Sequence, residues 1–301
     1  MMTPQTEEFT PTPGQLLLDA FEKRWKKYRL ELKRCRTEFS NEAVHDLRVA
    51  LRRLLSLVEL LNSISPRPRL RKLNRAFKSQ LDDLDDLRDT QVMLAEISET
   101  VQEFPQLQQV QHHLESAEKR ALKGLRRELK KLDLKEITRR VQKTRETLKD
   151  EADAALVEPI LQSVDDAFLA MKQKYERVDP PQPASIHRVR VALKNFRYMV
   201  EIIYPLLDGF PMENLNHMND HQSMMGEIQD LEVLMQTLVD FSERASSSDS
   251  SAPLNITLEP VFQYYKVRHA EAIATYLNNK TMFENFWRSS PEQSFPWEKT
   301  L

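Results

Sequence analysis

Two stretches of the chain carry histidine and arginine at helical spacing, and these side chains could do chemistry. The first reads His45-Asp-Leu-Arg48-Val-Ala-Leu-Arg52-Arg53. The second reads His187-Arg-Val-Arg190-Val-Ala-Leu-Lys194-Asn-Phe-Arg197-Tyr198. Arginine offers a planar fork for bidentate contacts with phosphate, and lysine offers a mobile point charge. Both stretches therefore predict the binding of an anion.

The two stretches are copies of each other, aligned without a gap at an offset of 142 residues. Further along, Leu87-Arg88-Asp89 lies opposite Ile228-Gln229-Asp230 after a shift of one residue. A repeat of this length predicts two tandem copies of one structural unit.

Helical geometry places the cations of each stretch on one face. At 100° per residue, His187, Arg190, Lys194 and Arg197 fall within roughly 80° of arc. Apolar residues fill most other directions, which predicts a largely enclosed helix. Because a buried cation is costly without an anionic partner, this face should meet an anion rather than open water.

A later segment shows a second polar stripe at alternating spacings of four and three residues. It begins with the cations Arg71, Arg75 and Lys78 and continues with the carboxylates Asp82, Asp85 and Asp89. Two compatible interpretations stay open. The stripe forms a salt-bridge seam against the His45 helix, or it forms a basic mouth whose arginines are held by carboxylates.

The elements that must position these residues are all helices. Apolar residues recur at intervals of three to four, and no segment alternates with a period of two for long. The pattern predicts an all-α chain of two four-helix bundles, with helices over about 15–39, 43–63, 70–104, 106–149, 151–177, 185–207, 214–244 and 260–287. The predicted organisation is a tail (1–13), a first repeat (14–150), a second repeat (151–290) and a polar tail (291–301).

Composition excludes several classes of protein. Only four glycines occur, so the clustered glycines of a Walker loop, a dinucleotide fingerprint or a kinase phosphate loop are missing. Cys35 is the single cysteine, which predicts a reducing compartment. No apolar run approaches the length of a membrane span, and residues 1–14 lack the pattern of a signal peptide. A cytoplasmic protein without membrane contact is expected.

The formal net charge of −2 conceals strong segregation. Residues 21–78 hold 17 Lys and Arg against 6 Asp and Glu, and residues 118–149 hold 13 against 5. Residues 201–260 hold 1 against 11. The basic blocks favour a polyanionic ligand, and the acidic region leaves a protein partner possible.

The paired motifs, together with R-D-x-x-V between them and G-E-x-x-D after them, resemble the CHAD (conserved histidine α-helical domain) family over about residues 14–290. The resemblance implies two four-helix bundles related by a pseudo-twofold axis around a basic central cavity. It also implies non-catalytic binding of inorganic polyphosphate, often at polyphosphate granules, with no cofactor. The chain leaves no room for the triphosphate-tunnel domain found in some members, so a stand-alone member is expected.

Carried over position by position, the family's polyphosphate-binding residues fall on ten positions, and the third helix adds three basic ones. They are His45, Arg48, Arg52, Arg53, Arg88, His187, Arg190, Lys194, Arg197 and Tyr198, with Arg71, Arg75 and Lys78.

The second half departs from the pattern. Asn195 and Gln229 stand where the first half has Arg53 and Arg88, and His217 and His221 stand where it has the basic residues of the third helix. We therefore expect an asymmetric cavity in which Arg48 and Arg52 contribute more to affinity than Arg190 and Lys194.

Other functions stay open at this stage. A metal-dependent polyphosphate hydrolase would use clustered acids, for which Asp82, Asp83, Asp85, Asp86 and Asp89 are candidates. His217, Asp220 and His221 form a second, weaker candidate for a metal, and no metal site is predicted. Nucleic-acid binding fits the charge but lacks interleaved aromatic platforms. A helical scaffold for a protein or nucleic-acid partner is the remaining alternative.

Overall fold

A computed structural model describes residues 12–150, 155–247, 257–279, 283 and 285–300. Within them the chain is all-α and has no strand, as predicted. Nine α-helices occur in the described ranges: α1 (Pro13–Glu38), α2 (Asn41–Ile64), α3 (Pro68–Thr100), α4 (Gln108–Lys131), α5 (Leu134–Asp150), α6 (Val157–Glu176), α7 (Pro183–Ile203), α8 (Met212–Ser247) and α9 (Glu259–Asn278). None of these helices is long and apolar enough to cross a membrane.

Local chemistry explains where the helices begin. The Thr12 hydroxyl caps α1 by accepting from the backbone N–H of Gln15 at 3.4 Å, and Ser40 caps α2 by accepting from Ala43 N–H at 3.2 Å. Proline, whose fixed φ suits a first turn, opens α3 and α7. Of the predicted tail 1–13, residues 1–11 lie outside the described residues, and Pro13 already belongs to α1.

The single helix predicted over 106–149 is wrong, because α4 and α5 are separate. Leu132 adopts an extended backbone conformation that ends α4. Asp133 then caps α5, since its Oδ1 accepts from the backbone N–H of Glu136 at 3.0 Å. The spacing Asp133-x-x-Glu136 is a helix-start signal that lies within the basic pattern. The first half therefore has five helices rather than four.

The two halves share one hydrophobic core rather than forming two separate bundles. Helices α2 and α7 pack against each other at its centre. There the Ser56 hydroxyl of α2 donates to Asn195 Oδ1 of α7 at 2.9 Å. A second apolar cluster joins the far ends of α3 and α4 to α8 and α9, where the Tyr265 hydroxyl donates to Thr100 Oγ1 at 3.1 Å. The pseudo-twofold relation between the halves stays a prediction.

The segment 291–301, expected as a polar tail, contributes aromatic rings to the core. The rings of Phe295 and Trp297 stack with their centroids 4.6 Å apart, and Trp297 is buried. Just before this segment, Trp287 Nε1 donates to Asp165 Oδ1 of α6 at 2.6 Å. Arg288 holds the same carboxylate through Nε at 2.9 Å and Nη2 at 2.6 Å. Asp165 therefore anchors the C-terminal segment to α6.

We expect Asp165→Ala to lower the free energy of unfolding by about 3–5 kcal/mol, because the change leaves a half-buried guanidinium and a buried indole N–H without their shared acceptor. The neighbouring exposed residue supplies the control. Asp166→Ala removes only a hydrogen bond with Gln162 on the surface and should cost less than about 0.5 kcal/mol. Urea unfolding followed by circular dichroism measures both, and equal effects would contradict the anchoring role.

Candidate functional site

A cavity of about 950 Å³ opens between α2, α3, α7 and α8. The structure brings together all ten residues of the two repeated motifs in its lining: His45, Arg48, Arg52, Arg53, Arg88, His187, Arg190, Lys194, Arg197 and Tyr198. The enclosed polar stripe read from the helical periodicity is therefore the wall of a cavity.

The three basic residues of the third helix are not part of this lining. Arg71, Arg75 and Lys78 are exposed, and the cavity reaches α3 only from Asp85 onwards. Fourteen residues of helix separate Arg71 from Asp85, which is about 21 Å along the axis. The stripe thus continues along α3 beyond the cavity, and its basic end lies outside the lining.

The charge of the cavity is divided between its walls. Six of its eight Lys and Arg residues lie on α2 and α7, whereas all six of its Asp and Glu residues lie on α3 and α8. The salt-bridge interpretation of the α3 stripe fits, because Asp85 and Asp89 face the cations, whereas Arg71, Arg75 and Lys78 form no basic mouth at this cavity. Where the resemblance implied a basic central cavity, the lining has a cationic wall opposite an acidic one.

Arg48 and Arg190 occupy matched positions but have different surroundings. Arg48 forms an ion pair with Asp85. At the position matching Asp85 the second half has Gly226, and a Cβ there would lie 3.1 Å from Nη2 of Arg190. Among the described residues Arg190 forms no ion pair, and its buried Nε has no hydrogen-bond partner. Glycine therefore makes room for a guanidinium that Asp230 and Asp89 compensate only from beyond ion-pair distance.

Glu201 organises the cations at one end of the cavity. Its carboxylate accepts from Nη1 of Arg197 at 2.7 Å and lies 3.6 Å from Nε of Arg53. Both guanidinium groups also lie over the ring of Tyr198, at 4.8 Å and 5.8 Å from its centroid. The ring and the carboxylate thus hold these two arginines in place.

Lys194 is the cation least compensated by its surroundings. Burial, followed by the nearby charges of Arg52, Arg190 and Arg48, lowers its pKa to about 6, and Asp230 opposes the shift. Burial also lowers the pKa of Arg48 to about 10. A bound anion would relieve this repulsion.

Comparison with known proteins assigns the chain to a family. The family model described as the CHAD domain matches residues 19–239. The chain belongs to the CHAD family. Two solved structures are similar to it, each at 15% identity, which shows the fold alone. The CHAD domain from the plant Ricinus communis has a TM-score of 0.64, with 92% of this chain and 91% of that chain covered. PptA from Streptomyces chartreusis has a TM-score of 0.62, with 92% and 99% covered. No curated protein matches the chain.

The two histidines typical of CHAD domains lie in the cavity and have different neighbours. His187 shares a hydrogen bond with Gln229, and burial, then the nearby Arg190, lowers its pKa. Burial, then the nearby Arg88, lowers the pKa of His45. Both shifts favour the neutral form of the imidazole at pH 7.

The expected role of His217 and His221 beside the second cationic stretch is not supported, because neither residue lines the cavity. His221 is buried, with its ring 4.6 Å from that of Phe283 and 5.9 Å from that of Phe286. The segment after α9 supplies these rings and covers this face of α8. The expected asymmetry based on these histidines therefore loses its structural basis.

The acids considered for a metal-dependent hydrolase are also dispersed. Asp85 and Asp89 line the cavity, whereas Asp82, Asp83 and Asp86 do not. Across the described ranges, no group of three or more His, Cys, Asp and Glu side chains is arranged to hold a metal ion. The cavity carboxylates instead face arginines.

Sequence reasoning missed one cation of the cavity, Arg268 on α9. It forms an ion pair with Glu96 and lies 5.6 Å from the ring centroid of Tyr264. Arg268 belongs to neither repeated motif, so no pattern could have singled it out. Gly226 was visible in the G-E-x-x-D motif, but its role depends on a contact with another helix.

The lowered pKa of Lys194 predicts a pH dependence of stability. The folded pKa is about 6, whereas an unfolded lysine titrates near 10.4. Between these values the unfolded chain holds a proton that the folded chain lacks, so stability rises with pH in this window. From about pH 7.5 to pH 8.5 the parent should gain at most about 1.4 kcal/mol relative to Lys194→Met.

Urea unfolding at the two pH values measures this difference. Lys72→Met, a matched change at an exposed position of α3, should keep the gain of the parent. An identical pH response of the parent and Lys194→Met would show that Lys194 is protonated in the folded cavity.

Proposed function

We propose that this CHAD domain binds inorganic polyphosphate in the cavity between α2, α3, α7 and α8, without hydrolysing it. The observation that carries the proposal is that two basic side chains of the cavity, Arg190 and Lys194, form no ion pair within the described residues. Burial lowers the pKa of both groups. Membership of the CHAD family supports the same ligand.

The chemistry of the cationic wall fits a phosphate polymer. Polyphosphate repeats one anionic unit and has no base or sugar to recognise, so spaced cations are sufficient to bind it. Cations on α2 and α7 recur at intervals of about 5 Å, one helical turn. Because glycine-rich backbone cradles are missing from the sequence, the side chains must supply the phosphate contacts.

The acidic wall supports binding rather than chemistry. Asp85 neutralises Arg48, and burial raises the pKa of Asp89 and of Asp230. Carboxylates placed opposite the cations would repel a polyanion, so we expect the phosphate contacts on the α2–α7 wall. Location at polyphosphate granules remains part of this proposal.

Arg190→Gln should weaken binding of long-chain polyphosphate by about tenfold, since a charge-assisted contact contributes about 1.5–3 kcal/mol. The matched control is the double variant Arg48→Gln/Asp85→Asn, which removes an arginine together with the carboxylate that neutralises it. It should change affinity by less than about threefold. This order is the reverse of the one expected from the sequence.

Titrations at several salt concentrations sharpen the comparison. The slope of log affinity against log salt should fall by about one for Arg190→Gln and stay unchanged for the double variant. Equal losses in both variants would contradict the availability of Arg190. The polyphosphate recovered after incubation with Mg²⁺ should keep its chain length on a gel, and shortening would contradict binding without hydrolysis.

Binding should also take up a proton. At pH 7.5 Lys194 is largely neutral, because its pKa is about 6. A bound polyanion raises that pKa, so about one proton enters with the ligand. Calorimetry in buffers of different ionisation enthalpy measures the uptake, which should vanish in Lys194→Met and persist in Lys72→Met. Uptake that is unchanged in Lys194→Met would place the proton elsewhere.

A further inference from the structure

The cavity leaves most of the basic charge of the first half unexplained. Of the 17 Lys and Arg residues within 21–78 only three line the cavity, and of the 13 within 118–149 none does. Helices α1 and α5, which carry much of this charge, pack against each other. Two basic segments far apart in the sequence therefore meet on one face of the protein.

A groove of about 900 Å³ lies where they meet. Its lining contains six Lys and Arg residues and one carboxylate, that of Glu22, which already forms an ion pair with Arg145. The central cavity has eight such cations but six carboxylates. The groove therefore carries the larger excess of positive charge.

The free cations of the groove form a row along α1. Lys23, Lys26, Arg29 and Lys33 are exposed, line the groove, and form no ion pair within the described part of the chain. The row spans about 15 Å of helix. A linear anion of repeating charge matches such a row better than a compact anion, which would reach only one or two of these side chains.

The row lacks the aromatic contacts that single-stranded nucleic acid uses. Trp25 lines the groove but is buried, and its ring stacks on the buried ring of Tyr28 with the centroids 5.2 Å apart. Leu30 is the only exposed large apolar residue of the groove. Recognition here would be by charge alone, which favours a phosphate polymer over RNA or DNA.

We propose that the α1–α5 groove is a second polyphosphate-binding site, separate from the cavity. It shares its ligand class with the proposed function and rests on it in that respect, but it depends on different residues. A long chain can occupy both sites, or two chains can be held by one molecule, so the groove raises avidity for long polyphosphate.

Lysine footprinting tests the groove directly. The full chain is treated with an amine-acetylating reagent with and without long-chain polyphosphate, and the modified lysines are counted by mass spectrometry. Lys23, Lys26 and Lys33 should react at least about threefold more slowly when polyphosphate is bound, as expected for a site occupied most of the time. The exposed lysines Lys119 and Lys123 of α4, which line neither site, should keep their rates.

Two triple variants of equal charge test the energetic role. Lys23→Gln/Lys26→Gln/Lys33→Gln should weaken binding of long chains at least about threefold and reduce the salt slope by about two to three. The control Lys119→Gln/Lys123→Gln/Lys130→Gln removes the same charge from exposed positions of α4 and should bind like the parent. Equal affinities of the two triple variants, or equal protection of all five footprinted lysines, would contradict polyphosphate binding in the groove.

The outcome separates the two proposals. If Arg190→Gln loses binding and the two triple variants do not differ, the result supports the cavity site and contradicts the groove site. Protection of the groove lysines that persists in Arg190→Gln, while that variant binds like the parent, supports the groove and removes the cavity. Stronger protection by a single-stranded RNA than by polyphosphate of equal charge would assign the groove to nucleic acid and overturn the proposal.

Discussion

The structure depends on one constraint: α2 and α7 must form the centre of the hydrophobic core and also carry a row of cations. Side chains such as Leu54 and Leu193 are fully buried on these helices, while Arg48, Arg190 and Lys194 on the same helices line a cavity. Burying cations together is costly. The fold offsets part of this cost with carboxylates from α3 and α8 and with Glu201, and the lowered pKa of Lys194 marks the part that is not offset.

This constraint makes the two basic sites physically different. In the cavity, few unneutralised charges lie in a low-dielectric setting, where each is worth more and is screened less by salt. In the groove, the excess of positive over negative side chains is larger. These side chains are exposed, so each charge alone contributes little binding free energy. The cavity thus suits selective contacts with a few phosphates, whereas the groove suits diffuse attraction of a long chain.

The sequence predicted helices well because their ends carry chemical signals, such as Ser40 before α2 and proline at the start of α7. Helical periodicity also predicted that His187, Arg190, Lys194 and Arg197 share one face of α7, and these residues line the cavity. The sequence did not predict the features of the site that depend on distances between helices. The α3 stripe looked continuous, but Arg71 lies too far along the helix to reach the cavity. Likewise, Arg268 has no repeat partner, and His221 is covered by the rings of Phe283 and Phe286.

The internal repeat explains which features of the cavity the sequence could predict and which it could not. Duplicated motifs supply arginines at matched positions, but the neighbour that decides their availability lies on another helix and is free to diverge. Asp85 stands in the first half where Gly226 stands in the second. One copy of the arginine pairs with a carboxylate, and the other is given space and has Asp230 and Asp89 only beyond ion-pair distance. Two arginines at matched positions of a sequence repeat thereby come to lie in different electrostatic surroundings within one cavity.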